Sequence, residues 1–288
     1  MLHGLMVVNA FLKAPKFDAI YQALLDSASK TGIRLSVTTN AVLSTRSPEF
    51  KSESPDFVLY WDKDIKIAKL LEQQGIPVFN SSDSIGLCDD KSLTYLALKR
   101  IGIPMPETVI LPQTFPNIGY TNTDFLNEAA ARIGFPLVLK ECFGSFGQQV
   151  YLYDDLEKLR EKVVSLGGTP MLLQAMVKSS FGRDIRVNVV GGRIVACILR
   201  QSKTGDFRSN LTLGGSMEPY TPSAEEARLA LEAVKELGFT FAGVDVLFGE
   251  SGPLICEVNS NAHFKTTLEC TGVNMADEIF QEIRRRIG

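Results

Sequence analysis

Two runs of alternating apolar residues near the end of the chain predict a β-hairpin. The runs are Gly243–Phe248 and Pro253–Asn259, and the turn-forming segment Gly249–Gly252 separates them. A loop centred on Ser251 pairs Asp245 with Glu257, so both carboxylates lie on one face of an antiparallel pair. The same register pairs Val246 with Cys256.

The paired carboxylates predict a metal site. Opposed residues lie roughly 5 Å apart at Cβ, where two anions repel by about 3 kcal/mol at an effective dielectric constant near 20. This repulsion indicates that something must neutralise the pair. Asn259 returns to the same face and adds a carbonyl oxygen, and an all-oxygen set suits Mg²⁺ or Mn²⁺ better than Zn²⁺. The alternative is a solvated hairpin with scattered acids.

Composition narrows the class of protein. The 288 residues are 45% hydrophobic, which predicts sizeable cores in two or three small domains. The net charge of -3 and the pI near 5.6 argue against nucleic acid or a membrane as the main partner. No apolar run approaches the ~20 residues of a membrane span. Five cysteines without a Cys-x-x-Cys pair predict reduced thiols in a cytoplasmic protein.

The sequence gives little support for an active site based on histidine. The sequence has two histidines, His3 and His263, which weakens a Ser-His-Asp hydrolase or a His-rich metal site. His263 follows Asn259 by four residues, so it either lines the same cleft or lies on the surface.

The pattern of elements predicts three domains. Residues 1–86 alternate short apolar runs with helical stretches, which is typical of an α/β unit with a parallel sheet. A helix is predicted over Asp89–Ile101, with Lys91 near its start, and a lid domain over 87–174. A third domain, 175–288, contains the acidic hairpin and two amphipathic helices, Ser223–Leu237 and Asn274–Ile287.

Two polar loops are candidates for binding phosphate. Strand Pro136–Lys140 leads into a loop containing Gly144, Ser145 and Gly147, where glycine lets backbone N–H groups approach an anion and Lys140 adds a cation. The loop 203–210 carries Lys203 and Arg208 beside small polar residues that suit a triphosphate. The alternatives are an ordinary mobile hairpin and a solvated loop.

Together these motifs resemble the RimK-like group of ATP-grasp ligases. The resemblance covers nearly the whole chain from about residue 85 and implies an α/β ATP-grasp fold. That fold has a Rossmann-like N-terminal domain, a central lid domain and a C-terminal domain, with ATP between the last two. The motifs that carry it, in the order and spacing of the family, are Asp90-Lys91, Leu139-Lys140 with its glycine loop, Gly182–Arg186, Gly205–Asn210, Ala242–Asp245 and Glu257–Asn259.

The resemblance implies a set of site residues. Lys91 and Lys140 are expected to contact the phosphates of ATP, and Asp184 to lie in the nucleotide site. Two Mg²⁺ or Mn²⁺ ions are expected on Asp245, Glu257 and Asn259. The other expected nucleotide-binding residues are Gly144, Ser145, Gly147, Gln174, Ala175, Met176, Lys203, Arg208, Ser209 and Asn210.

The implied reaction is carboxylate activation followed by amide formation. The γ-phosphoryl group passes to a carboxylate, and an amine attacks the acyl phosphate, releasing ADP and phosphate. Arg186 and Arg208 are expected to stabilise the transferring group and the oxyanion. Glutamate or a C-terminal glutamate is the expected carboxylate substrate, and a homo-oligomer is the expected assembly.

Two departures from the family pattern leave alternatives open. Ala175-Met176 stands where many relatives have Glu-Tyr, which removes a side-chain contact to adenine. Phe264-Lys265 resembles the LysX-like ligases, which join an amino acid to the C-terminal glutamate of a carrier protein. A carrier-protein ligase and a nucleotide-binding pseudoenzyme or regulatory module therefore remain alternatives to a glutamate ligase.

Overall fold

The fold combines three sheets with helices packed against them. A computed structural model describes residues 1–45, 54–144, 147–209 and 215–288. The strands are β1 (Leu2–Val8), β2 (Ile33–Thr39), β3 (Phe57–Trp61), β4 (Val78–Phe79), β5 (Thr108–Ile110), β6 (Leu137–Glu141), β7 (Val150–Tyr153), β8 (Met171–Ala175), β9 (Arg183–Val190), β10 (Arg193–Gln201), β11 (Ser216–Pro219), β12 (Phe241–Gly249) and β13 (Gly252–Asn259). The helices are α1 (Pro15–Lys30), α2 (Asn40–Thr45), α3 (Ile65–Glu72), α4 (Ser82–Asp89), α5 (Lys91–Arg100), α6 (Phe125–Ile133), α7 (Leu156–Leu166), α8 (Ala224–Glu236), α9 (Lys265–Thr271) and α10 (Met275–Ile287), with a 3₁₀ turn at Lys178–Ser180.

The first sheet is parallel, with strand order β2-β1-β3-β4, as the alternation in residues 1–86 predicts. Every residue of β3 is buried, because both faces of a parallel sheet are covered. One of its cores also contains residues from the end of the chain, including Phe241, Phe264 and Phe280. The first sheet is therefore packed firmly against the C-terminal region.

Asn80, directly after β4, adds polar contacts to that packing. Its side chain is fully buried and accepts hydrogen bonds from the backbone N–H groups of Thr240 and Phe241. It donates to the carbonyl oxygens of Phe241 and Ser260 at 2.9 and 3.0 Å. One amide thus joins the end of the first sheet to the start of β12 and to the residue that follows β13.

The second sheet is antiparallel, in the order β5-β8-β6-β7. The predicted strand–glycine loop–strand hairpin is β6 and β7, and Lys140 pairs with Val150 just before the loop. α5 begins at Lys91, where the Asp90 side chain accepts from the backbone N–H groups of Ser92 and Leu93. The helix predicted over Asp89–Ile101 therefore forms as Lys91–Arg100, with Asp90 as its N-cap, and Asp89 is instead the last residue of α4.

The third sheet has the order β11-β10-β9-β12-β13 and contains the acidic hairpin. Asp245 pairs with Glu257, which confirms the predicted register on the metal-binding side. The predicted partner of Val246 is wrong: Val246 pairs with Ile255, because Cys256 is an extra residue in a β-bulge.

The two amphipathic helices of the third segment form as predicted. Ser223 and Glu226 make the capping box at the start of α8, and the Asn274 side chain caps α10. Within the described ranges, no helix has the length and apolar character needed to cross a membrane. The three sheets fall within the predicted segments 1–86, 87–174 and 175–288 apart from Ala175 at the end of β8, and the domain boundaries themselves stay a prediction.

Candidate active site

One cavity of about 710 Å³ lies where the three sheets meet. This volume is within the ~300–1,000 Å³ typical of pockets for small ligands and cofactors. The first sheet and the residue after it contribute Trp61 and Asp62, the second sheet Lys140 and Gln174, and the third sheet the predicted metal ligands Asp245, Glu257 and Asn259. The predicted site residues that line it are Lys91, Lys140, Gly144, Gly147, Gln174, Ala175, Met176, Asp184, Arg186, Arg208, Ser209, Asp245, Glu257 and Asn259.

Among the described residues, one predicted site residue is not brought to this cavity. Lys203 is exposed and does not line it. Ser145 and Asn210 lie outside the described residues. The polar loop 203–210 therefore reaches the cavity through Arg208 and Ser209.

Arg208 connects that loop to the glycine hairpin. Its guanidinium donates to the carbonyl oxygen of Gly147 at 2.6 Å and forms two bonds to Asp206, at 3.0 and 2.7 Å. The hydrogen bonds from Arg208 hold the pKa of Asp206 below its usual value. The acid thus orients an arginine that contacts the lid.

Two lysines place positive charge at the end of the cavity near the acidic hairpin. The Nζ atom of Lys91 lies 3.4 Å from the carbonyl oxygens of Cys142 and Gly144 and 4.0 Å from Oε1 of Glu257. The Lys140 side chain is buried, with its Nζ 3.5 Å from Sγ of Cys256. Both cations are therefore positioned to bind an anion that enters between the sheets.

Part of the cavity lining is apolar. Val138, Ile198 and Leu247 line the cavity, as do Ala175 and Met176. The N–H of Ala175 already donates to the carbonyl oxygen of Glu107 at 2.8 Å. A planar ring bound against Ala175 and Met176 could therefore not use this N–H group and would need hydrogen bonds from other backbone groups.

Four charged side chains form a buried network beneath the acidic hairpin. Arg186 makes two hydrogen bonds to Asp245, at 2.5 and 2.7 Å. Arg200 makes two to Asp184, at 2.7 and 2.5 Å, and lies 3.1 Å from Oδ1 of Asp245. Burial by itself raises the pKa of Asp245, but the two guanidiniums outweigh it and hold that pKa below its usual value. Arginines thus supply the charge neutralisation that the sequence led us to expect from a metal.

Sequence reasoning missed Arg200. It lies on β10 opposite Asp184 only because Val195 is an extra residue between two register segments of β9 and β10. A regular hairpin closed by Gly191-Gly192 would have placed Arg200 opposite Arg183. The sequence did show an arginine near the end of an apolar strand. It did not show the strand register, which determines that Asp184 is its partner.

The acidic hairpin still fits a hard divalent cation. In the part of the chain that the structure describes, no three His, Cys, Asp or Glu side chains cluster as metal ligands. Asp245 and Glu257 with Asn259 form an oxygen-donor set with two carboxylates, the number that Mg²⁺ typically takes from protein. A carboxylate has about four lone-pair sites, of which Arg186 and Arg200 use three on Asp245. The amide nitrogen Nδ2 of Asn259 lies 3.4 Å from Oδ2 of Asp245, so a cation would take the position that this weak contact now fills. Glu257 is about one-third exposed.

His263 lines the cavity, which is one of the two positions expected for it. Its ring packs edge-on against Phe17, with ring centroids 5.3 Å apart. Burial, with smaller contributions from Lys16 and Arg186, lowers the pKa of His263 to about 4. The imidazole is therefore neutral at physiological pH.

The three sheets around this cavity form the ATP-grasp fold. The described chain resembles the RimK domain ATP-grasp protein from Sphaerobacter thermophilus with a TM-score of 0.74 at 23% identity, over 98% of this chain and 99% of that one. It also resembles the ATP-grasp ligase PsnB, solved with a phosphomimetic variant of its minimal precursor, Mg and ADP, with a TM-score of 0.70 at 16% identity. That likeness covers 100% of this chain and 99% of PsnB.

The sequence comparisons identify the family. A RimK-like ATP-grasp domain model matches residues 88–283, so the chain belongs to the RimK-like ATP-grasp family and is an enzyme of the ligase class. A Mycoplasma pneumoniae protein described as an uncharacterised MG012 homologue is 33% identical over 91% of this chain and 92% of its own length. A probable alpha-L-glutamate ligase of Shewanella amazonensis is 35% identical over 76% of this chain and 71% of its own length.

Proposed function

We propose that this protein is an ATP-dependent carboxylate–amine ligase that forms a peptide-type bond through an acyl phosphate, with glutamate as one substrate. The observation that carries the proposal is the single cavity that brings Lys91, Lys140 and Arg208 together with Asp245 and Glu257. This combination of cations and carboxylates suits a polyphosphate with a divalent cation.

The described residues have distinct roles in this proposal. Lys91 and Lys140 bind the phosphates, since both cations face the end of the cavity that holds Glu257. Arg208 and Ser209 hold the phosphate end from the opposite loop, and the Arg208–Gly147 hydrogen bond keeps the glycine hairpin over the bound nucleotide. The residues Gln174, Ala175 and Met176 line the adenine end.

Asp245, Glu257 and Asn259 would hold Mg²⁺ or Mn²⁺. When bound, such an ion neutralises phosphate charge and orients the transferred group. Arg186 and Arg200 hold the Asp245 carboxylate in one orientation before any ligand arrives. Such preorganisation avoids reorganisation during the reaction.

The proposed reaction has two steps. In the first, a carboxylate oxygen attacks the γ-phosphorus of ATP, the bond between that phosphorus and the β–γ bridging oxygen breaks, and ADP leaves. An amine nitrogen then attacks the acyl carbon, phosphate leaves, and the amine loses one proton. Arg186, fixed by its bonds to Asp245, is placed to stabilise negative charge in both steps.

Glutamate as a substrate is supported by the names of relatives such as the Shewanella amazonensis protein. A structure of PsnB in complex with a precursor peptide supports a peptide or protein as the second substrate. The proposed setting is a cytoplasmic homo-oligomer. All five cysteines are free thiols, which agrees with that compartment.

The test is to incubate the protein with ATP, Mg²⁺ and pooled amino acids and acidic peptides, to follow ADP release and to weigh the products. We expect a product that has lost one water relative to its two substrates. Glu257→Gln should reduce turnover at least about 100-fold, since it removes one charge from the metal-binding set. Glu250→Gln, the same change at an exposed position of the turn, is the matched control. ATP binding without ADP release on any substrate would contradict the proposal.

A further inference from the structure

Lys16, in the first turn of α1, is a cation of the cavity that the proposed reaction does not use. The residue is exposed, and it lines the cavity on the side of the first sheet. Its Nζ atom lies 5.0 Å from the ring centroid of Phe17, the next residue along the helix. The side chain of Lys16 is therefore accessible to a ligand in the cavity.

Ring contacts and charge place Lys16 near His263. The ring of Phe17 packs edge-on against the imidazole, with centroids 5.3 Å apart, and His263 is partly exposed and lines the cavity. Burial is the largest cause that lowers the pKa of His263, and the charges of Lys16 and Arg186 lower it further. Because the effect of a charge falls with distance, both cations lie close to this imidazole.

The chain that follows the acidic hairpin packs against Arg186. A Cβ atom on Gly243 would lie 2.7 Å from Cβ of Ala262 and 3.1 Å from Cδ of Arg186. His263 is the residue after Ala262. A continuous run of contacts therefore joins Lys16 at the cavity wall to Arg186 at the acidic hairpin.

The cations assigned to the phosphates come from other parts of the fold. Lys91 begins α5 and Lys140 lies on β6, whereas Lys16 lies on the helix that follows β1. The Nζ atom of Lys91 is 4.0 Å from Oε1 of Glu257, which places that cation beside the predicted metal ligands. Lys16 therefore suits a second anion, bound on the side of the first sheet.

The carboxylates near Lys16 do not offer a cation an open site. Asp18 is exposed but does not line the cavity. Asp62 lines it, but its Oδ2 is enclosed by protein, and its Oδ1 accepts hydrogen bonds from Nδ2 of Asn9 and from the backbone N–H of Lys63. The accessible charge at this wall is therefore the ammonium group of Lys16.

We propose that Lys16 binds the side-chain carboxylate of a glutamate substrate and so selects an acidic amino acid. An ammonium group and a carboxylate form a charge-assisted hydrogen bond. The rings of Phe17, Tyr21 and Trp61 line the same cavity and suit the methylene groups of such a side chain. This role rests on the proposed ligase function and assigns its choice of substrate to one residue.

The test is to titrate the intact protein calorimetrically with L-glutamate and with L-glutamine, whose side chain ends in a neutral amide of similar shape. A non-hydrolysable ATP analogue and Mg²⁺ are present throughout. We expect the wild type to bind L-glutamate about 10- to 100-fold more tightly than L-glutamine, because the amide forms no charge-assisted hydrogen bond with an ammonium group.

Lys16→Met removes the ammonium group and keeps an unbranched apolar side chain. It should weaken binding of L-glutamate about 10- to 100-fold and leave binding of L-glutamine close to that of the wild type. Lys13→Met is the matched control, since it makes the same change at an exposed position that does not line the cavity. This control should bind both amino acids as the wild type does.

Three results would overturn the role of Lys16: no binding of L-glutamate, equal binding of the two amino acids by the wild type, or undiminished binding of L-glutamate by Lys16→Met. Equal weakening of both amino acids in Lys16→Met would also overturn it, because the loss would not depend on the side-chain carboxylate. The ligase proposal fails separately. Absence of ADP release, with L-glutamate binding that still depends on Lys16, would remove the reaction and keep the recognition of the carboxylate.

Discussion

Two buried aspartates on the same cavity have opposite surroundings. Asp245 in the third sheet is 6% exposed and Asp62 after the first sheet is 5% exposed, so burial does not distinguish them. Asp245 is bonded to two arginines, whereas Asp62 has two donors on one oxygen and none on the other among the described residues. The two arginines accordingly lower the pKa of Asp245 against the effect of burial, whereas burial is the main cause that raises the pKa of Asp62.

This difference shows two ways in which the protein treats a buried carboxylate beside the cavity. The third sheet neutralises its own carboxylate and holds it in one orientation, which favours folding and preorganises the acidic hairpin. The carboxylate of Asp62, directly after the first sheet, is incompletely paired among the described residues, which opposes folding. Natural proteins keep such unfavourable groups chiefly where function requires them.

Breaking the arginine network should have the largest effect on folding. Arg200→Met leaves Asp184 without its bidentate partner and Asp245 with Arg186 alone, and we expect a loss of about 3–5 kcal/mol in the free energy of unfolding. Urea unfolding measures it. Arg193→Met on the same strand is the control, because its side chain is 62% exposed and its ion pair with Glu278 should contribute less than about 1 kcal/mol. Equal losses in the two variants would show that the network is not stabilising.

Removing the charge of Asp245 should have a smaller, pH-dependent effect. Its folded-state pKa is lowered, so its contribution is fully present above the usual value of about 3.9 and is lost as pH falls through the folded-state pKa. Asp245→Asn should therefore lower the free energy of unfolding by about 2–4 kcal/mol at pH 7. The difference from the wild type should stay constant down to about pH 5 and shrink below about pH 4. A constant difference at every pH would contradict a charge-based role.

The same substitution at Asp62 should have the smallest effect and the opposite sign. Its folded-state pKa is raised, so the wild type loses stability as pH rises from about 3.9 through that folded-state pKa, and the loss then stays constant. Asp62→Asn retains an oxygen for Asn9 and the Lys63 N–H, and it should be more stable than the wild type by about 1 kcal/mol at pH 7. Thermal melts at pH 7 and pH 3.5 measure this gain, which should vanish at the lower pH. A loss of stability at pH 7 would end the contrast between the two aspartates.

Local signals made much of the fold predictable. Alternating apolar residues around a glycine turn predicted the acidic hairpin and the Asp245–Glu257 pair, and both are present. The capping residues Ser223 and Glu226 predicted the start of α8 for the same reason: a cap and its helix are neighbours in sequence. The amphipathic pattern from Asn274 predicted α10. The candidate phosphate ligands were predicted by glycine and lysine patterns, and most of them line one cavity, although Lys203 does not.

The partners of the charged groups could not be predicted in this way. Arg200 contacts Asp184 and Asp245 through two strand pairings, one of which shifts at Val195. Cys256 shifts the other hairpin between Asp245 and Val246. A bulge moves a strand by one residue and so changes which side chains face each other, and the sequence here carries no glycine or proline that marks either position.

The sequence by itself determined that a unit with a parallel sheet is followed by antiparallel hairpins, one of which carries the Asp245–Glu257 pair. Periodicity, turns and caps were sufficient for this because they act between residues that are close in the chain. Only the tertiary structure decided that Asp245 would be neutralised by two arginines while Asp62 was left incompletely paired. The physical reason is that a charge in a protein interior is governed by the groups within a few ångströms of it. Those groups come here from strands and loops far apart in sequence.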